Sequence, residues 1–197
     1  VWNHGIPEEY AKKYSISIDE AKDYIINRYK SLGDGDILWY EIQYWLNKFD
    51  LPVSANELLD RFESYIKPLP HAIDVLKNLG KRYMLVVASN AARIFVEKEL
   101  ECAGLGAFFI HVVSATTDYK MVKKTAAFYK RLCSALNIEP SEIVHVGDHP
   151  VFDFDAPLSL GIEAYYLNSP GSGARYQGQA KKHENVIHSL KELLDKI

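Results

Sequence analysis

Cysteine is scarce in this chain, which contains Cys102 and Cys133 and no C-x-x-C pair. A disulfide framework or a cysteine-rich zinc site is therefore not expected, and a reducing cytoplasm is the simplest location. No apolar run approaches the roughly 20 residues that a membrane-spanning helix needs. No signal peptide opens the chain either, so the sequence does not indicate a membrane or secreted protein.

An excess of positive charge is also missing, because the chain has 23 lysine and arginine residues and 26 aspartate and glutamate residues, for a net charge of −3. The basic residues are scattered, which argues against nucleic acid or an anionic membrane surface as a partner. With 48% hydrophobic residues in 197, the chain is long enough for a packed core and a small additional domain. The sequence leaves open whether the protein is a monomer or a homodimer.

The hydrophobic pattern divides the chain into two parts. Residues 1–67 show helical periodicity alone, and the stretch 37–49 forms one broad apolar stripe. From Pro68 onward, apolar runs alternate with helical segments; these runs are 83–88, 108–113, 143–146 and 162–167. Continuous apolar strands separated by helices are typical of a parallel sheet covered on both faces. We therefore expect an α/β fold, with a helical domain at 1–67 and a doubly wound, Rossmann-like core at 68–197.

Polar side chains stand where predicted strands end, which is where an open parallel sheet collects its ligands. Ser89 and Asn90 follow one apolar run; Asp148 follows another, and Asp153 comes a short turn later. Mg²⁺ usually binds one or two protein carboxylates together with water and substrate phosphate, so the two aspartates are candidate metal ligands. A serine hydroxyl and backbone N–H groups at a helix start are suited to phosphate oxygens.

Three further side chains complete the candidate site. Lys123 and Lys124 precede a helix predicted over 124–136, and an ammonium group there would offset charge during phosphoryl transfer. His149 adjoins Asp148 and is a candidate for contact with substrate or phosphate. A polar residue after a strand is often only a helix cap, so it is the joint occurrence of these residues that favours a site.

The same segments resemble motifs of the haloacid dehalogenase-like (HAD) hydrolases, over roughly residues 68–168. The stretch LPHAIDVLKNLGKRYMLVVASN resembles the second family motif, a strand that ends in Ser or Thr, here Ser89. The stretch KKTAAFYKRLCSALNIEPSEIVHVGDHPVFDFDAPLSLGI resembles the third and fourth motifs. The family lysine then falls on Lys123, or on Lys124 after a slip of one residue, and the spacing G-D-x-x-x-x-D falls on 147–153.

This resemblance implies a Mg²⁺-dependent phosphatase that acts on a small phosphorylated metabolite through an aspartyl-phosphate intermediate. Asp148 would bind Mg²⁺, and Asp153 would support the metal or the lysine. Ser89 would hold phosphate and Lys123 would neutralise charge, as the catalytic pair. The remaining phosphate-binding candidates are Asn90, Lys124 and His149. The helical part would be the family's cap, inserted between the first and second motifs, whose side chains select the substrate.

The first family motif, a strand followed by D-x-D with the aspartate nucleophile, is not found. Asp34-Gly35-Asp36 matches the D-x-D pattern but follows a helical segment. Asp153-Phe154-Asp155 also matches it but belongs to the fourth motif. One explanation is that this strand and the nucleophile lie upstream of the given chain, which we favour because an absent central strand leaves an apolar gap in the sheet. The other is a non-catalytic member of the fold.

Two alternatives to a phosphatase remain. A 2-haloacid dehalogenase would use the same fold and nucleophile without a metal, and the paired acids Asp148 and Asp153 argue against it. A non-catalytic binding module would explain the missing nucleophile, whereas retention of Ser89, a lysine and both acids argues against a decayed site.

Overall fold

The computed structural model describes residues 1–168 and 184–197. Within residues 1–67, every regular element is a helix, as the periodicity predicts. The α-helices are α1 (Gly5–Tyr14), α2 (Ile18–Leu32), α3 (Ile42–Lys48) and α4 (Ala55–Asp60), and the 3₁₀ helices are Ile37–Tyr40 and Glu63–Tyr65. Whether these residues form a domain of their own stays a prediction.

The rest of the described chain alternates strands and helices. The strands are β1 (Val86–Ser89), β2 (His111–Ser114), β3 (Val144–Gly147), β4 (Glu163–Leu167) and β5 (Val186–Ile187). The α-helices are α5 (Ala72–Leu79), α6 (Arg93–Cys102), α7 (Ala115–Tyr119), α8 (Ala126–Leu136) and α9 (Ala156–Leu158). The shorter helices are 3₁₀ at Gly106–Phe108, Pro140–Glu142 and Leu190–Asp195, and π at Pro150–Asp155. The short elements α7 and β5 are additions to the predicted pattern.

Local side-chain hydrogen bonds explain where the first helices begin, and backbone conformation marks where one breaks. Ser54 and Glu57 form a capping box at α4: the serine Oγ accepts from the Glu57 N–H at 3.2 Å, and the Glu57 carboxylate accepts from the Ser54 N–H at 2.8 Å. The stretch 37–49 is two short helices instead of one. The break lies at Glu41, whose backbone is extended, and the indole N–H of Trp45 donates across it to the C=O of Trp39 at 3.1 Å.

All strand pairings in the described residues are parallel, and they form two sheets. One sheet pairs β1 with β2, and the other has the order β3-β4-β5. Ser89 is level with Ser114 at the end of the first sheet, and Gly147 is level with Tyr166 in the second. Parallel strands alternating with helices agree with the α/β class predicted from the sequence.

Two strand edges lie open between these sheets. Within the described chain, β1 pairs with a strand on one edge alone, and β3 does the same. By contrast β4, which has a strand on each side, buries residues 164–167. The open edges of β1 and β3 are therefore available to a further strand.

The helical part and the α/β part share a hydrophobic cluster. Its fully buried members include Ile6, Ile25, Trp45, Leu46 and Leu58. Ile94 and Phe95 of α6 pack against the same cluster, so α6 anchors the helices beside the carboxyl end of β1. No helix among the described residues is both long enough and apolar enough to cross a bilayer.

Candidate active site

Lys124 is the buried cation of the candidate site. Its Nζ donates to the backbone C=O of Ala88 in β1 at 2.8 Å and forms an ion pair with Asp153, which follows β3. The backbone N–H of Lys124 donates to Asn90 Oδ1 at 2.7 Å, which holds this residue outside α8. With 6% of its surface exposed, Lys124 therefore bridges the two sheets where β1 and β3 end.

The carboxylate of Asp153 has protein partners on both of its oxygens. Its Oδ1 pairs with Lys124 and lies 3.1 Å from His145 Nε2, and its Oδ2 accepts from the backbone N–H of His149 at 3.1 Å. Burial acts to raise the pKa of Asp153, but the hydrogen bond from His145 and the charge of Lys124 outweigh burial and hold that pKa well below its usual range. Asp153 is thus an ionised partner of the lysine.

Asp148 is in the opposite situation. It is exposed, and no described residue forms a hydrogen bond or an ion pair with its carboxylate. Within the described residues, no group of three or more His, Cys, Asp and Glu side chains is placed to hold a metal ion. Mg²⁺ needs as little as one carboxylate when water and phosphate complete its shell, so Asp148 fits as one ligand. Asp153 fits the supporting role, because its carboxylate already pairs with Lys124 and accepts from the His149 N–H.

Lys123 is half-buried and pairs with a different carboxylate. Its Nζ donates to the Asp34 carboxylate at 2.8 Å and lies 5.5 Å from the centre of the Phe152 ring. The pair with Asp34 raises the pKa of Lys123 and lowers the pKa of Asp34. Of the two candidate lysines, the structure therefore brings Lys124 next to Asp153 and uses Lys123 to tie the helical part to the segment after β3.

Ser89 and Asn90 organise the turn between β1 and α6. Ser89 Oγ accepts from the backbone N–H of Ala91 at 3.1 Å, and Asn90 Oδ1 accepts from Lys124 as described. The Ser89 hydroxyl proton is donated to no described residue, which leaves it available to a ligand oxygen. Asn90 therefore contacts Lys124 at the end of β1, where Ser89 is the last residue, and the roles of these residues in a site stay predictions.

His149 acts as a helix cap in this structure. Its Nδ1 accepts from the backbone N–H groups of Val151 and Phe152, both at 3.2 Å, and its ring stacks on the Phe152 ring with the ring centres 4.3 Å apart. These contacts cap the π-helix Pro150–Asp155, which places the Asp153 side chain against Gly147 at the end of β3. The predicted contact with substrate would have to use the remaining ring nitrogen.

Sequence reasoning missed the ion pair between Arg93 and Asp118. Arg93 donates to the two Asp118 oxygens through Nε at 3.2 Å and Nη2 at 2.5 Å, and to the C=O of Val112 at 2.8 Å. Asp118 also accepts from the backbone N–H of Ser114 at 2.7 Å. The pair ties the start of α6 to the end of β2, and nothing local in the sequence marks residues that are 25 positions apart as partners.

An apolar cavity of about 530 Å³ adjoins the turn after Ser89. Ala91 and Ala92 form one wall, and aromatic side chains dominate the remainder: Trp2, Trp39, Tyr40, Phe62, Tyr65 and Phe95. The cavity therefore lies between α6 and the helical part.

A family model for haloacid dehalogenase-like hydrolases matches residues 3–161. The chain belongs to this family. This match confirms the family that the second, third and fourth motifs predict.

Two curated relatives illustrate what this HAD-like chain is similar to. The haloacid dehalogenase-like hydrolase domain-containing protein 3 of Danio rerio is 35% identical over 112 residues, or 54% of this chain and 43% of that protein. The GMP/IMP nucleotidase YrfG of Escherichia coli K12 is 22% identical over 94% of this chain and 82% of that protein. The chain spans about half the length of the first of these relatives.

Solved structures confirm the fold of this HAD-like hydrolase. A HAD phosphatase from Thermococcus onnurineus has a TM-score of 0.80 and 24% identity, covering 97% of this chain and 86% of that one. Structures of 2-haloacid dehalogenases are also similar, with TM-scores of 0.55, 0.61 and 0.62. At these identities the likeness shows the Rossmann-like fold and does not distinguish the two reactions.

Proposed function

We propose that this protein is a Mg²⁺-dependent phosphatase that hydrolyses phosphate monoesters of small metabolites. The observation that carries the proposal is the contrast between two aspartates at one strand end. Asp153 is committed to Lys124, whereas Asp148 is exposed and has both oxygens available. A fixed ammonium group and an available carboxylate supply what phosphoryl transfer requires, which is positioning and compensation of negative charge.

Each residue has a distinct part in this proposal. Lys124 would offset charge on the transferred phosphoryl group, and Ser89 would donate its hydroxyl proton to a phosphate oxygen. Asp148 would hold Mg²⁺, which supplies Lewis-acid polarisation of a phosphoryl oxygen when bound. Asp153 would keep Lys124 in place. The backbone N–H groups at the start of α6 are further donors for phosphate.

The nucleophile in this proposal is an aspartate outside the given chain, on a strand between β1 and β3. The open edges of those two strands support this placement. A carboxylate oxygen would attack phosphorus while the bond from phosphorus to the ester oxygen breaks, and the departing oxygen would take a proton. Water would then attack the acyl phosphate, releasing inorganic phosphate and regenerating the carboxylate.

Dehalogenation of 2-haloacids is the second candidate, because enzymes with that activity share the fold. The available carboxylate of Asp148 favours the phosphatase, since a metal-free displacement of halide has no use for it. The relation to a GMP/IMP nucleotidase and the aromatic cavity beside Ala91 and Ala92 support nucleoside monophosphates as one substrate group to assay.

The test is hydrolysis of p-nitrophenyl phosphate by the full natural chain with and without Mg²⁺. We expect activity that EDTA removes and that Asp148→Asn abolishes, while Asp195→Asn, at another exposed carboxylate, leaves it unchanged. Binding of Mg²⁺ should weaken in Asp148→Asn in calorimetry without substrate. Full activity in EDTA would contradict the metal assignment, and chloride release from 2-chloropropionate in place of phosphatase activity would favour the dehalogenase.

A further inference from the structure

His145 is a histidine inside strand β3, enclosed between two polar groups. Its Nε2 lies 3.1 Å from Asp153 Oδ1 and 3.1 Å from the hydroxyl oxygen of Tyr129 on α8. Its ring meets the Tyr129 ring edge-on, at 5.2 Å between the ring centres. A buried imidazole costs free energy unless it is hydrogen-bonded, so these contacts account for a polar residue at this place in a strand.

The hydrogen bonds around His145 fix the position of its ring proton. The Tyr129 hydroxyl donates to the backbone C=O of Phe152 at 2.7 Å, so its oxygen faces His145 as an acceptor. Asp153 is ionised and accepts only. Because both neighbours of His145 Nε2 are acceptors, this nitrogen carries the proton. Burial also lowers the pKa of His145, which favours the neutral ring over the charged one.

This arrangement completes the enclosure of Asp153. Lys124 and His145 face Oδ1, and the His149 N–H faces Oδ2, so the carboxylate has donors on both oxygens. Without His145, Oδ1 of Asp153 would keep Lys124 as its one strong partner, and the carboxylate could rotate while it stays paired with that lysine. Lys124 would then lose its fixed place against the C=O of Ala88. Small displacements of a charged group at a reacting centre are costly to the rate.

We propose that His145, supported by Tyr129, is a positioning residue for the reaction: its Nε2–H fixes the Asp153 carboxylate and, through it, the ammonium group of Lys124. The inference rests on the proposed phosphatase function for its effect on rate. His145 is not placed in contact with the substrate. Its contribution should therefore appear in kcat, while KM changes little.

Three substitutions separate positioning from packing. His145→Gln places an amide N–H near the original Nε2, His145→Asn is too short to reach Asp153, and His145→Leu fills similar space without a donor. We expect His145→Leu and His145→Asn to lower kcat by about 10–100-fold, as for other residues that orient catalytic groups. His145→Gln should retain most of the original kcat. His111→Leu, at an exposed histidine in β2, should keep full activity.

Equal kcat in folded His145→Leu and unchanged protein would overturn the proposal, as would His145→Gln behaving like His145→Leu. A measurement without substrate separates this inference from the proposed function. Nitrogen-15 NMR of the His145 ring at neutral pH should show the tautomer with its proton on Nε2. The Nδ1–H tautomer would overturn the positioning contact whatever the kinetics show, whereas absence of any turnover in the unchanged protein would contradict the phosphatase proposal itself.

Discussion

The side chain of Asp153 lies directly against the backbone of Gly147. A Cβ atom at position 147 would be 2.5 Å from Asp153 Cβ and 2.6 Å from its Oδ2, closer than side chains approach one another. Gly147 does not have a positive φ, so close approach and not backbone conformation explains the glycine. The strand end is therefore shaped to admit the carboxylate that holds Lys124.

The first prediction follows from this contact. Gly147→Ala should push Asp153 away from Lys124 and destabilise the protein by about 1–3 kcal/mol, as overpacking of a closed site does. Urea unfolding measures the stability, and p-nitrophenyl phosphate hydrolysis should fall in parallel. Gly106→Ala is the matched control, because a Cβ there meets nothing within 4 Å. Equal stability of the two variants would show that position 147 has room.

The second prediction distinguishes the two neighbouring lysines. Lys124→Met leaves the buried carboxylate of Asp153 without its ion-pair partner, which should cost about 3–5 kcal/mol of stability and abolish activity. Lys123→Met breaks a surface pair with Asp34 and should change stability far less, with activity largely retained. Thermal unfolding and steady-state kinetics of the two variants give the comparison. Loss of activity confined to Lys123→Met would reverse the assignment of roles.

Local sequence patterns predict much of the fold and part of the candidate site. Capping boxes such as Ser54 with Glu57 depend on residues three positions apart, so spacing alone predicts them. Apolar runs mark the strands, and the residues that follow them, such as Ser89 and Asp148, fall at the same ends of parallel strands. Spacing alone therefore predicts at which strand ends these residues lie, although it gives no distance between them.

The remaining features depend on contacts between distant parts of the chain. Lys123 and Lys124 look alike in sequence, and what separates them is that Lys124 meets Asn90 and Ala88, 34 and 36 positions away. The links from His145 to Tyr129 and from Arg93 to Asp118 also join separate elements. No periodicity or spacing signals such pairs, because they arise when the elements pack.

The third prediction concerns Asn90. Asn90→Ala removes the acceptor of the Lys124 N–H and leaves that group unpaired in a partly buried turn, which should cost about 1–3 kcal/mol. Activity should fall as well, since the same contact positions Lys124. Asn56→Ala, in the exposed first turn of α4, is the control and should be neutral or slightly stabilising. Denaturant unfolding of both variants measures the difference.

The last prediction is a pH dependence at Asp118. Partial burial acts to raise the pKa of Asp118, but the hydrogen bonds from Arg93 and from the Ser114 N–H outweigh burial and lower it. A lowered pKa in the folded state means that this carboxylate stabilises the protein above its ordinary pKa of about 3.9 and that the contribution disappears as pH falls through the lowered value. Asp118→Asn should therefore cost about 1–2 kcal/mol at neutral pH in urea unfolding, and progressively less in acid. Glu97→Gln, which removes the exposed second partner of Arg93, should change little at any pH. A stability difference between Asp118→Asn and the unchanged protein that stays constant into acid would contradict the role of the charge.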